Sequence, residues 1–286
     1  MSYEFFVQDV RGLSDEAIMY AAPSVFAEAA HESRSSRYTY IPTSFVLEGL
    51  REVGFVPTTA MQSRSRIEGR QAFTKHLLRL RHANDLGYSL PDVHEIVLVN
   101  SHDGTSAYNL YSGVFRLVCT NGLISGDFDD TMKVRHTGNV VEEVVESTLQ
   151  IAEESEQVMQ DVEEMKYIEL SRPEQLLLAE FALKARFDLD EEGEEGEEEG
   201  MEKKMVPYQP QDLLRVRRRE DTRPDLYTTL NVVQENALRG GVRGSLRDSR
   251  GQRRRIREVH GIDQSVRVNR LLWQFAERLK EYKQNY

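Results

Sequence analysis

An acidic run at residues 188–202 limits how this chain can fold more than any other feature. It contains ten aspartates and glutamates, three glycines and no basic residue. Such a segment has almost nothing apolar to bury and its carboxylates repel one another, so we predict a disordered linker. This linker, taken as residues 188–204, separates a core domain at residues 1–187 from a C-terminal region at residues 205–286.

Charge differs between the two sides of the linker. Residues 1–187 hold 17 basic and 28 acidic side chains, whereas residues 211–286 hold 18 basic and 10 acidic ones. The net charge of the whole chain is −11. A basic region attracts polyanions even when the whole protein is acidic. The C-terminal region is therefore the part of the chain whose charge points to a nucleic-acid partner.

Hydrophobic periodicity predicts an α+β core domain. Val93–Asn100 is a β-branched run, and strands at Tyr108–Tyr111 and Val114–Cys119 would complete an antiparallel β-meander, joined by a strand within Ala72–Arg81. From Val141 to Met165, apolar residues recur at three- and four-residue steps, which predicts one long amphipathic helix packed with the meander.

Further helices are predicted on both sides of the linker. A capping box at Ser171–Glu174 indicates the start of a helix. The C-terminal region is predicted to be helical, with an apolar stripe near its end. The predicted helices are Ser14–Ala22, Thr43–Val53, Leu176–Phe187, Gln211–Arg219, Leu226–Leu238 and a last helix containing Val268 to Leu279.

One face of the strand within Ala72–Arg81 is predicted to be basic, because alternate residues of a strand share a face. Arginine and lysine would neutralise phosphates there, and aromatic rings would stack on bases. The predicted nucleic-acid contacts of the core domain are Arg64, Arg66, Lys75, Arg79, Arg81, Tyr38 and Phe73. Ordinary surface salt bridges are the alternative, because acids outnumber bases in this domain.

A glycine- and arginine-rich segment at residues 239–257 interrupts the C-terminal helices. We predict a mobile loop that contacts nucleic acid, because arginine neutralises phosphates and stacks on unpaired bases. Its predicted contacts are Arg239, Arg243, Arg253, Arg254 and Arg255. A solvated surface loop, or one that folds back onto the acidic linker, is the alternative.

The sequence contains no motif of a common enzyme class. A Walker loop, a Rossmann glycine fingerprint, a G-x-S-x-G elbow and metal-binding histidine spacings are all absent. The single cysteine, Cys119, excludes an internal disulfide, and its place at a strand end predicts a structural role, although a thiol nucleophile is the alternative. Because these motifs are absent, we predict a non-enzymatic protein without cofactor or metal. Membrane-spanning and signal segments are also missing, so we predict a cytoplasmic protein.

Several motifs taken together resemble a known family. They are Lys75–Arg81, Asn100–Ser106, Phe115–Leu123 and Arg135–Asn139, with further matches at His31–Tyr38 and Arg217–Arg223. The sequence resembles the phage- and plasmid-borne family called domain of unknown function nine-three-two, particularly its enterobacterial prophage members. This resemblance implies a mobile-element setting and supplies no catalytic residues. The order of meander and long helix is similar to that of Rad fifty-two-type single-strand annealing proteins, which implies oligomers that bind single-stranded DNA.

Three functions follow as hypotheses. The leading one is an oligomeric factor that binds or anneals single-stranded DNA in phage or plasmid replication, recombination or transfer. The second is an inhibitor of host defence or of a host enzyme, which would capture a protein partner through its acidic surface. The third is a metal-dependent nuclease that uses His31, Glu32, His102 and Asp103.

Overall fold

The protein consists of two compact units, Met1–Met159 and Gln160–Tyr286. The computed structural model describes residues 6–29, 40–67, 69–86, 91–116, 121–125, 132–134, 139–189, 206–247 and 251–285. The first unit combines an antiparallel sheet with helices, and the second is mainly helical, so the predicted α+β class is confirmed. Within those ranges no helix is both long and apolar enough to cross a membrane.

The first unit is built on the sheet. Its strands are β1 (Phe6–Gln8), β2 (Phe55–Gln62), β3 (His76–His82), β4 (Asp92–Asn100), β5 (Tyr108–Arg116), β6 (Asn121–Ser125) and β7 (Met132–Val134). Strands β1 to β6 lie side by side in chain order and are antiparallel, and β7 pairs with the first residues of β5. The predicted meander is confirmed, with the two strands predicted at residues 108–119 forming one strand as far as Arg116.

Three helices cover one face of this sheet: α1 (Asp15–Ala21), α2 (Thr43–Glu52) and α3 (Val140–Glu153). Their apolar residues, such as Ile18, Leu47 and Val144, pack with Leu78 and Leu98 of the sheet in one buried core. The predicted long helix is two helices, because the chain leaves regular helical geometry at Glu154 before α4 (Ser155–Tyr167) begins.

The second unit is organised around one buried helix. Its helices are α5 (Arg172–Phe187), α6 (Pro210–Leu213), α7 (Leu226–Leu238) and α8 (Ile262–Asn285). Every residue of α7 is buried, and α5, α6 and α8 pack around it. The capping box predicted at the start of α5 is confirmed. The Ser171 side chain accepts a hydrogen bond from the Glu174 backbone, and the Glu174 side chain accepts one from the Ser171 backbone.

The domain boundary differs from the prediction at residue 187. Helix α5 belongs with the C-terminal helices: Phe181 stacks on Phe275 with ring centres 4.4 Å apart, and Lys283 Nζ lies 2.9 Å from Glu174 Oε1. The acidic run therefore falls inside the second unit, between α5 and α6; its residues from 190 on lie outside the described ranges. Composition showed where the chain cannot build a core, but not which unit the preceding helix joins.

Candidate nucleic-acid interface

The structure buries two arginines that we predicted would contact phosphates. Arg79 Nε lies 2.6 Å from Glu95 Oε2, and Arg81 Nη2 lies 2.6 Å from Glu95 Oε1. The Thr58 hydroxyl donates to Glu95 Oε1 at 2.8 Å, and the Arg79 guanidinium lies 3.5 Å from the centre of the Phe115 ring. Arg79 is 6% exposed, and Arg81 and Glu95 are each 1% exposed.

These two arginines are therefore part of a buried ion-pair network, which corrects the prediction of a basic sheet face. The alternation of β3 does place Arg79 and Arg81 on one face, but that face is buried and both arginines pair with the single carboxylate of Glu95 on the neighbouring strand. Burial acts to raise the pKa of Glu95, and attraction by Arg79 and Arg81 outweighs it, so this pKa lies below its ordinary value.

Other predicted contacts of the first unit lie together in the connection of residues 63–75, which we name the β2–β3 loop. Arg64 and Arg66 are exposed there, and Lys75 and Phe73 are half-buried. The Gln71 side chain braces the loop, since it donates to Ser63 O at 3.0 Å and accepts from Ser65 N at 2.8 Å.

Of the four residues proposed for a nuclease site, the structure describes His102 and Asp103, and the side chains of these two contact different groups. His102 is buried, with its Nε2 3.1 Å from the Thr43 hydroxyl, whereas Asp103 accepts hydrogen bonds from the backbone and hydroxyl of Thr105. No group of three or more metal-ligating side chains lies together in the described ranges. The predicted residues His31, Glu32, Tyr38 and Cys119 lie outside those ranges.

A buried polar cluster in the first unit was not predicted from the sequence. The Thr43 hydroxyl at its centre lies 3.0 Å from His76 Nε2, 3.3 Å from the Tyr108 hydroxyl and 3.1 Å from the Asn100 amide nitrogen, which donates to it. These four side chains are fully buried. Because they lie on α2 and three different strands, only the tertiary fold brings them together.

An open cleft of about 340 Å³ in the second unit gathers arginines from distant parts of the chain. Arg215 and Arg217 line it from the segment after α6, while Arg243 and Arg255 line it from the predicted loop at residues 239–257. All four are exposed. We call this the arginine cleft; only Arg243 and Arg255 were predicted as contacts.

The first wall of the arginine cleft is fixed by a single buried side chain, Asn236. Its amide nitrogen donates to Leu213 O at 2.7 Å and to Arg215 O at 2.9 Å, and its oxygen accepts from Arg217 Nε at 2.9 Å. Arg218, next in the chain, forms a bidentate pair with Glu235 at 2.8 and 2.7 Å. These contacts with α7 hold residues 214–218 outside helical geometry, so most of the helix predicted at Gln211–Arg219 does not form.

The second wall is an irregular hairpin made by residues 239–247 and 251–257. Backbone hydrogen bonds join Gly241 N to Ile256 O at 2.8 Å and Gly244 N to Arg254 O at 2.8 Å. Gly240 has φ +64° and leaves no room for a β-carbon beside Ile256, so the turn out of α7 requires glycine. This differs from the expected mobile loop, because backbone pairing organises both described arms; residues 248–250 lie outside the description.

A buried carboxylate ties the two walls together. Asp212 Oδ2 accepts from the backbone and hydroxyl of Ser245 at 2.9 and 3.0 Å, and Asp212 Oδ1 lies 3.3 Å from Arg215 Nη2. Glu235 lies 4.0 Å from Arg217 Nη1. Arg243 and Arg255 make no ion pair with any residue of the described ranges; Asp248 of the same hairpin lies outside those ranges.

The remaining predicted arginines lie around the hairpin without lining the cleft. Arg239 Nη1 lies 4.0 Å from Glu235 Oε1. Arg253 is exposed, and the charge of Arg254 acts on Tyr208, whose hydroxyl donates to Arg255 O at 3.0 Å. The sequence thus identified the basic segment, but not the two arginines at positions 215 and 217 that face it.

Fold and cleft together define a two-unit α+β protein whose helical unit carries an arginine-lined cleft. The family model described as Domain of unknown function (DUF932) matches residues 30–273, so the chain belongs to this family, and the resemblance drawn from the motifs is confirmed. All four cleft arginines lie within the matched range.

Two proteins of Escherichia coli (strain K12) are similar to this chain over most of its length. UPF0380 protein YafZ and UPF0380 protein YfjQ are each 41% identical to it over 270 residues, which covers 94% of this chain and 92% of each relative. No solved structure matches the chain. The similarity to single-strand annealing proteins therefore stays a prediction based on element order.

Proposed function

We propose that this protein binds single-stranded DNA through the arginine cleft, as a factor in the replication, recombination or transfer of a mobile element. One observation carries the proposal: four exposed arginines from two segments converge on one open cleft, and Arg243 and Arg255 among them lack an ion-pair partner in the described ranges. Arginine recognises phosphate through planar, bidentate hydrogen bonds, so such a cluster suits a polyanion.

The size of the cleft favours a single strand over a duplex. A volume of about 340 Å³ is at the lower end of small-ligand sites. It accommodates a short stretch of one sugar-phosphate backbone, whereas duplex recognition uses a helix or ribbon that projects into a groove. Two of the four arginines are also positioned before the ligand arrives, Arg217 by Asn236 and Arg215 by Asp212, which lowers the entropic cost of binding.

The test is fluorescence anisotropy of a labelled single-stranded oligonucleotide across a salt series, with a duplex and an RNA strand of equal length for comparison. With at most one phosphate for each cleft arginine, the slope of log affinity against log salt should be no steeper than about −2.8 for a single strand. Arg243→Ala/Arg255→Ala should weaken binding and reduce the slope by about 1.4.

The matched control is Arg172→Ala/Arg278→Ala, which removes the same charge from exposed positions of the same unit that do not line the cleft. Equal loss of affinity in both double variants would mean that net charge, not the cleft, governs binding. Absence of binding by the parent protein at low salt would refute the proposal and favour the alternative of a protein partner captured by the acidic surface.

A further inference from the structure

Arg243 and Arg255 lie directly opposite each other on the hairpin that forms the second wall of the arginine cleft. They form an antiparallel bridge. Backbone hydrogen bonds of 2.8 and 2.9 Å bound this bridge on both sides, from Gly244 to Arg254 and from Ile256 to Val242. Bonds in these places make the two arginines a non-hydrogen-bonded pair, in which opposite Cα atoms are only about 4.5 Å apart. Their side chains therefore leave the same face of the hairpin, from neighbouring points.

The backbone that carries this pair is fixed from beneath. The Tyr208 hydroxyl donates to Arg255 O at 3.0 Å. Gly244 leaves no room for a β-carbon beside Pro207 O and the Tyr208 ring, so the hairpin packs closely there. Ile256, next to Arg255, is 2% exposed, whereas both arginines of the pair are exposed. The hairpin therefore holds two guanidinium groups on its outer side from a fixed base.

The pair brings two like charges close together. Like charges directly opposite each other on two strands destabilise the pairing. Neither guanidinium forms an ion pair with any residue in the part of the chain that the structure describes, which does not include Asp248 of the same hairpin. Local conflicts of this kind are typical of functional sites. An anion that contacts both guanidinium groups would remove the repulsion.

The charge of a terminal phosphate suits this pair better than the charge of an internal one. A phosphodiester within a strand carries a single negative charge, whereas a phosphate monoester carries about −1.5 to −2 charges and three acceptor oxygens. Each guanidinium offers several N–H groups in a planar fork, which bind such oxygens in pairs. We propose that Arg243 and Arg255 together bind the terminal phosphate of a DNA strand, so that the arginine cleft receives a strand end.

The rest of the arginine cleft fits the nucleotide that follows such a phosphate. Val216, which lines the cleft and is 46% exposed, offers apolar contact to the terminal sugar or base. Arg215 and Arg217, on either side of Val216 in the sequence, remain available to the next phosphodiester. This inference rests on the proposed function and names the part of the strand that the cleft binds.

The experiment uses the full chain and fluorescence anisotropy of single-stranded oligonucleotides labelled at an internal base, so that both ends are free. The strands share one sequence and carry a 5′-phosphate, a 3′-phosphate or terminal hydroxyl groups alone. We expect a phosphorylated strand to bind about 10-fold to 100-fold more tightly than the hydroxyl strand, which is the range of a charge-assisted hydrogen bond. The phosphate that gives this gain identifies the end that the cleft receives.

Arg243→Ala/Arg255→Ala should bind the three strands with equal affinity. Each single variant should lose nearly as much of the preference as the double variant, because both side chains act on one phosphate and their effects are not additive. The midpoint of unfolding in urea should not fall in these variants, since they relieve like-charge repulsion. The matched control, Arg172→Ala/Arg278→Ala, should keep the full preference, because neither residue lines the cleft.

Equal affinity of the parent protein for all three strands would overturn the inference and leave the proposed function standing. A preference that survives in Arg243→Ala/Arg255→Ala would overturn it as well, because the phosphate would then be bound elsewhere. Thymidine 5′-monophosphate, added as a competitor, separates a strand end from a free nucleotide: if it binds as tightly as the phosphorylated strand, the ligand is a mononucleotide and the inference is wrong. Failure of the parent protein to bind any of the strands would refute both proposals.

Discussion

The buried network of Arg79, Arg81 and Glu95 makes the stability of the first unit depend on one carboxylate. Glu95→Gln keeps the shape of the side chain but leaves two buried guanidinium groups without an anion. Removing one partner of a buried ion pair costs about 3–5 kcal/mol. At about 2–4 °C per kcal/mol for a unit of this size, the midpoint of thermal unfolding should fall by about 6–20 °C.

Unfolding in urea followed by far-ultraviolet circular dichroism measures this loss. The single tryptophan, Trp273, is fully buried on α8 of the second unit, so its fluorescence reports that unit and provides an internal comparison. We expect the part of the dichroism change that comes from the first unit to move to lower urea, while the tryptophan transition and the dichroism change of the second unit stay in place. Glu52→Gln, at an exposed position of α2, is the matched control and should cost less than about 0.5 kcal/mol.

A triple variant of the buried network provides a second test. Replacing the whole network by apolar residues, as in Arg79→Met/Arg81→Met/Glu95→Leu, removes the charges together and should restore stability to near that of the parent protein, because buried charges are costly to desolvate. A loss of less than about 1 kcal/mol in Glu95→Gln would show that the two arginines reach water or another anion, contrary to their burial.

Two further predictions concern polar groups at helix starts. Thr43→Val should lower the free energy of unfolding by about 1–3 kcal/mol, because two buried histidines and an asparagine lose a hydroxyl partner, and Thr43→Ser should cost less in the same urea assay. Hydrogen bonds from Lys283 and from the capping box lower the pKa of Glu174 from 4.5 to about 2. This group therefore stabilises the fold above about pH 4.5 and loses that contribution as the pH falls towards 2. Glu174→Gln should be less stable than the parent protein by about 1 kcal/mol at neutral pH and equal to it near pH 2 in thermal unfolding, and a constant difference at all pH values would contradict this.

Local signals explain which elements could be predicted from the sequence. The strands β3 and β4 follow from period-two runs, and the start of α5 follows from a capping box, because each depends on neighbouring residues. The pairing of Arg79 with Glu95 depends on strand register and on burial of that sheet face, which are properties of the whole unit. The alternation along β3 therefore predicts the correct face for Arg79, but not the burial of that face or the pairing with Glu95.

The arginine cleft could not be predicted from the sequence for the same reason. Arg215 precedes α7 in the sequence and Arg243 follows it, and their approach depends on how residues 213–218 pack against that buried helix. Residues 239–257 were predicted as nucleic-acid contacts from their basic composition, whereas the facing wall of the cleft comes from a segment that was predicted only as a helix. Buried polar anchors such as Asn236, which no motif marks, decide where the arginines meet.

The acidic run begins and ends within one unit, and the residues that flank it are held close together, with the rings of Phe187 and Tyr208 stacked 5.4 Å apart. The free energy of closing such an excursion grows only with the logarithm of its length, by about 0.6 kcal/mol for each doubling. We therefore predict that changes in length or an inserted domain between positions 189 and 206 cost the helices on either side little stability. A reporter protein or an affinity tag installed there internally, with both ends of the polypeptide untouched, would test this prediction.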